Sequence, residues 1–146
     1  MNFLIPIICG IMYRMGGSDN PYLGVKFFNY RAMIGIFVGT YFTLTLHSWI
    51  PLICILTYWF QPPYGDKSYL NFLGEWGKFA FVGFIFGVSS TPIWVAAGMW
   101  WMGLVQGAVS AIVYTIVRYL DEKNIIKNPW VEFLRGVGGT SLLWMP

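Results

Sequence analysis

Charge is what this sequence has least of. Of its 146 residues only 10% are Asp, Glu, Lys or Arg, against about 25% in soluble globular domains. So few ionic side chains exclude an ordinary water-solvated surface. A net charge of only +3, from scattered bases, excludes the concentrated basic face that nucleic acid requires. Histidine is nearly missing as well. His47 stands alone, and one imidazole cannot build a metal site, so neither metal nor other cofactor is expected. Cys9 and Cys54 are far apart and lack a CxxC spacing, which leaves two buried thiols as the simplest reading. There is no HExxH, no GxSxG and no serine–histidine–acid set. No carboxylate interrupts the long apolar runs, which argues against a proton-driven carrier. No basic residue precedes Arg14, so the first segment is expected to be retained rather than cleaved as a leader.

What fills the sequence instead is apolar: 57% hydrophobic and 20% aromatic residues. The longest run, Phe79 to Val117, holds thirty-nine residues without one charge between Lys78 and Arg118. A bilayer crossing takes about 20 apolar residues, so the run suffices for two. Its divider is read at Ser89-Ser90-Thr91-Pro92, where Thr91 can cap a new helix and Pro92 loses no needed N–H. A second uncharged run follows Arg31 and is broken near Leu46 to Pro51, with Ser48 as its cap. The fold class expected is therefore all-α: a single-domain, polytopic membrane helix bundle over residues 1–146. It comprises about five short transmembrane or re-entrant segments, an N-terminal helix plus two hairpins. The segments lie near 2–15, 27–46, 49–60, 76–90 and 92–120, with an interfacial turn at 129–135 and a glycine-rich, charge-free tail.

All nine basic and six acidic residues fall in the connectors on one side of that layout. Basic flanks mark the cytoplasmic face, so the expected location is a bacterial inner membrane, with the N-terminus out and the C-terminus cytoplasmic. Tyr30, Trp59, Tyr64, Tyr69, Trp76, Tyr119 and Trp130 sit near the charged side, and Trp49 and Trp94 near the outer turns, as interfacial belts do. Trp100 and Trp101 lie deeper in the same layout.

Glycines spaced by four occur at Gly35/Gly39, Gly83/Gly87 and Gly103/Gly107. Such rows let backbones approach closely, either between helices of one chain or between copies. Gln106, between the last two, serves either as a clip between helices or as the lining of a polar path. His47 reads as an interfacial turn residue. Arg14-Met15-Gly16-Gly17-Ser18-Asp19-Asn20 presents a cation and free backbone N–H groups, which suits either a phosphate or a plain helix end. Arg135-Gly136-Val137-Gly138-Gly139 repeats the flavour, and the two stretches can meet at one interface. The candidates for phosphate or headgroup binding are thus Arg14, Asp19, Arg31 and Arg135.

The opening pattern, Leu4-Ile5-Pro6 running into Tyr13-Arg14-Met15-Gly16-Gly17-Ser18, resembles small polytopic membrane proteins of tailed phages and prophages. The resemblance covers about the first forty residues. It implies a bacterial inner-membrane setting and carries no activity onto any residue. The function expected is a non-enzymatic, self-associating membrane protein, pore-forming in the manner of a holin, with membrane lipids and further copies of itself as partners. Two alternatives stand beside it: a subunit that binds a host membrane protein, as a phage exclusion or anti-defence factor, and an interfacial enzyme acting on lipid headgroups.

Overall fold

Helix is the only way such a chain can pair its own backbone polar groups along apolar stretches. The computed structural model describes residues 3–16, 30–59, 74–127 and 130–146, which are helical apart from short turns, with no strand among them. Helix α1 is Leu4–Gly16 and α2 is Tyr30–Leu46. A 3₁₀ turn, Ile50–Ile53, leads into α3, Cys54–Trp59. Then come α4 (Gly74–Val88), α5 (Thr91–Ala96), α6 (Met102–Glu122) and α7 (Trp130–Gly139). Two runs, Trp76–Ala96 and Met102–Glu122, are each 21 residues and apolar enough to cross a membrane. At 1.5 Å per residue each is about 31 Å long, close to the hydrocarbon thickness of about 30 Å. Only 44% and 33% of their apolar windows is buried in the bundle, so most of that surface faces outward, unlike a soluble core helix.

The first hairpin turns where its sequence suggests. His47 takes a left-handed φ of 52° immediately after α2, the conformation that commonly ends a helix. The Ile50 N–H then donates to Ser48 Oγ at 3.3 Å, and Pro51 sits in the 3₁₀ turn. Close packing follows from the glycines. A Cβ on Gly35 would lie 2.8 Å from the Cys54 carbonyl oxygen, and one on Gly39 would lie 3.0 Å from that of Pro51.

The second hairpin does not turn at Ser89–Pro92. There the hydroxyls bond backward: Ser89 Oγ donates to the Ile85 carbonyl and Ser90 Oγ to the Gly87 carbonyl, both at 2.8 Å, and Thr91 Oγ1 donates to that of Val88. No side chain caps α5. Hydroxyls bonded three or four residues back hold the chain near helical geometry, so α4 and α5 continue in one direction past Pro92. The reversal comes at Ala97–Trp101, where Gly98 adopts a φ of 80°. Packing fixes the register. Gly83 faces Ser110 and Tyr114, Gly87 faces Gln106 and Gly107, and Gly103 faces Thr91. The arms are accordingly Gly74–Ala96 and Met102–Glu122 rather than 76–90 and 92–120. One consequence is an exchange of tryptophans. Trp94, expected near an interface, is fully buried, whereas Trp100 and Trp101 are exposed at the turn.

The C-terminal region also departs from expectation. Residues 130–139 are one helix rather than a short amphipathic turn that ends at Arg135 and gives way to a tail. They form α7, which lies against α1 and α6 with Gly136, Gly138 and Gly139 buried. Gly136 meets Gly10 and Tyr13, Gly138 meets Val113, and Gly139 meets the Phe86 ring. Because α7 runs antiparallel to α6, the end of the described chain returns toward the level of Gln106, the end where α1 begins. Phe3 and Pro146 therefore share one end of the bundle, with the His47 and Gly98 turns. The expected placement of the two chain ends on opposite faces is not observed.

Phe86 stands at the centre. Its ring is edge-on to Tyr13 at 5.6 Å and Tyr58 at 5.7 Å, and tilted against Tyr114 at 6.2 Å. Phe42, Trp94, Ile93 and Leu143 complete a filled interior.

Candidate functional site

The described ionic residues gather at one end. Arg14 closes α1, Lys78 lies in α4, Arg118, Asp121 and Glu122 end α6, Lys123 and Lys127 follow, and Glu132 and Arg135 belong to the start of α7. The opposite end holds no acidic or basic residue among the described ones. Exposed Trp76, Tyr119 and Trp130 ring the charged end. The one-sidedness read from the sequence thus persists for the described residues, although the hairpin and tail differ.

Within that rim, α4, α6 and α7 bring two guanidiniums to one aromatic ring. Arg118 Cζ lies 4.6 Å and Arg135 Cζ 5.6 Å from the Phe79 centroid. Arg135 also stands 5.7 Å from the ring of Tyr114. A cation within about 6 Å of a ring centroid is attracted by its quadrupole. Beneath them the hydroxyls of Tyr13 and Tyr114 are 2.8 Å apart and buried. Arg118 Nε donates to Glu122 Oε1 at 3.0 Å, one helical turn away. Arg135 Nε is buried and has no hydrogen-bond partner.

The phosphate candidates fare unequally. Arg135 lies in this cluster. Arg14 is exposed in the last turn of α1, next to Tyr13, whose Cβ lies within 2.6 Å of where a Cβ on Gly136 would be. Tyr13, just before the Arg14 stretch, thus packs on Gly136, while residues 17–20 of that stretch lie outside the described residues. Arg31 falls in the first turn of α2, its side chain outside the described set, and Asp19 lies outside the described residues. Sequence reasoning missed Arg118 and Phe79. The signal was present in the hairpin register, since a turn centred near Ala97 sets position 79 opposite the end of α6.

The packing candidates are all placed within the chain. Gly35, Gly39, Gly83, Gly87, Gly103 and Gly107 each face a neighbouring segment of the same bundle. Gln106 is fully buried and acts as a clip. Its Nε2 donates to the Gly138 carbonyl at 2.9 Å and to Ser141 Oγ at 3.5 Å, while its Oε1 accepts from the Leu142 N–H at 2.7 Å. His47 borders a small hollow with Thr43, Leu44, Ser48 and Trp49. Cys9 and Cys54 are free and buried. No group of three metal-ligating side chains occurs among the described residues. No protein-family model, no curated protein and no solved structure matches this chain.

Proposed function

We propose that this chain is a non-enzymatic, multi-pass protein of the bacterial inner membrane that acts by associating with further copies of itself, any pore opening between copies. The observation that carries this reading is an apolar outer surface over a core that also takes in polar side chains. Ile7, Ile11, Leu56, Phe81, Leu104, Ile112 and Ile116 are exposed on the helices, whereas Ser89, Ser90, Gln106, Ser110 and Thr140 are buried. Apolar side chains stand outward favourably where lipid is the solvent, and buried hydroxyls and amides then bind helices together. Thr57 Oγ1 does so by donating to the Ser89 carbonyl at 2.8 Å, and Gln106 Nε2 by donating to that of Gly138 at 2.9 Å.

The filled interior supports a pore between copies over one through a single copy. With the glycine rows occupied inside the bundle, association would use the outer surface. Between α4 and α6 that surface carries a shallow apolar groove of about 260 Å³ lined by Ala80, Ala111, Ile112, Thr115 and Ile116. Basic residues flanking membrane helices favour the cytoplasm, so the charged end would face inward and both ends of the described chain outward. The resemblance of residues 4–18 to phage and prophage membrane proteins suits that setting.

Controlled expression in bacteria with a potential-sensitive dye tests the reading, together with cross-linking of an Ala111→Cys variant in membranes. Cross-linked dimers with loss of potential are the expected result. An unchanged potential at high expression would remove the pore. Absence of cross-links, with a stoichiometric host protein in gentle pull-downs, would favour the partner-binding alternative.

A further inference from the structure

The rim contains a chemical imbalance that neither helix packing nor self-association uses. Arg118 and Arg135 bring two permanent positive charges to one ring, and a guanidinium does not shed its proton in a protein. Glu122 answers the Arg118 Nε. Glu132, one turn earlier on α7, attracts Arg135 without closing to an ion pair, and the Arg135 Nε is buried without an acceptor. The rings of Phe79 and Tyr114, 5.6 Å and 5.7 Å from the Arg135 Cζ, attract the cation but offer its N–H donors no oxygen acceptor from their π faces. A planar fork beside a second cation matches an anion with several oxygens, and phosphate is the common one.

We infer that Arg135, with Arg118 across the Phe79 ring, forms a binding site for one phosphate-bearing anion at the junction of α4, α6 and α7. The site retains Arg135 from the sequence candidates and joins to it two residues from the arms of the second hairpin. Trp76, Tyr119 and Trp130 are exposed at the same end, where amphipathic rings mark headgroup depth, so an anionic phospholipid and free phosphate are the two sources to separate. Only the lipid source rests on the membrane reading, and self-association is required by neither.

The full chain in neutral detergent micelles, probed by native mass spectrometry, tests the site. One arm adds phosphatidylglycerol, a second adds phosphatidylcholine and a third adds inorganic phosphate. The wild-type chain should retain one phosphatidylglycerol or one phosphate. Arg135→Gln and Arg118→Gln should each weaken that binding about tenfold or more, as loss of a charge-assisted hydrogen bond does. Lys123→Gln removes an exposed charge outside the cluster and should change it less than about twofold. Retention of phosphatidylglycerol alone assigns a lipid headgroup, and equal retention of inorganic phosphate assigns a soluble ligand. Thermal unfolding in the same micelles checks each variant. Should Arg135→Gln fail to fold, Phe79→Leu removes the shared ring and should give the same loss. Three results would overturn the site: no retention by the wild type, no loss in the arginine variants, or an equal loss in Lys123→Gln.

Discussion

Replacing Gln106 by leucine tests how the end of the chain is held. Leucine is close to glutamine in volume, so the change removes polarity without leaving a large cavity. The side chain makes two short bonds, to the Gly138 carbonyl at 2.9 Å and from the Leu142 N–H at 2.7 Å. Interhelical hydrogen bonds in lipid contribute about 0.6 kcal/mol on average and about 1.7 kcal/mol at most. Two of them give about 1–3 kcal/mol, and a stranded backbone donor adds a further penalty of about 1–3 kcal/mol. Gln106→Leu should therefore destabilise the bundle by about 2–6 kcal/mol. The loss should be local before it is global, because the bonds tie only the end of α7 and the stretch after it to α6. A Leu143→Cys probe reports on this directly, since Leu143 is fully buried beside the clip. It should resist thiol labelling in the otherwise unchanged chain and react readily when Gln106→Leu is added, with denaturant unfolding in micelles giving the free energy. An unchanged unfolding midpoint together with a protected probe would refute the clip.

The α4–α6 seam yields two further tests. At Gly87 a Cβ would sit 2.5 Å from the Gln106 carbonyl oxygen and 2.8 Å from the Gly107 Cα. Both are backbone atoms that cannot swing aside, so Gly87→Ala should cost about 1–3 kcal/mol in micelle unfolding, whereas Ala108→Leu on the exposed face of α6 should be near neutral. The register itself is checked by the pair Gly87→Cys and Ser110→Cys, whose Cβ atoms would lie 2.8 Å apart, near enough to bridge once the arms part by about 1 Å. This pair should oxidise readily, whereas a hairpin turning at Ser90 would keep it apart and join position 87 to residues near 93 instead.

How much of this was legible depended on whether a local pattern had one physical outcome or two. Ser48 and Pro51 follow an apolar arm and precede a short one, and the first hairpin turns there. Ser89-Ser90-Thr91-Pro92 has the same chemistry with two outcomes. Its hydroxyls can cap a new helix, or they can bond to the Ile85, Gly87 and Val88 carbonyls and carry the old one onward. Only the partners choose, because the Gly83 and Gly87 face meets Ser110 and Gln106 when the turn lies near Ala97. The misplaced turn also hid the Arg118–Phe79 contact and inverted the depths of Trp94 and Trp100. Helix α7 was illegible for another reason. Each glycine costs about 1 kcal/mol relative to alanine within a helix, so a stretch with Gly136, Gly138 and Gly139 has little helical tendency of its own. Its stability comes from Gly10, Val113 and Phe86, residues distant in sequence that close against the bare backbone.

The same closeness bears on function. The glycine rows were open to a role between copies or within one chain, and their faces are filled by the chain's own helices. What remains outward is Ile112, Ile116, Leu104 and their neighbours, side chains that the acyl chains of a bilayer would solvate well. Association through such a face gains little from apolar burial, because lipid tails are as apolar as leucine. It must come from shape, as at the Ala80–Ala111 groove, or from crowding in the plane of the membrane. On the proposed reading such a protein would stay a single bundle when scarce and assemble when abundant, and the filled interior suits that reading better than a channel running through each copy.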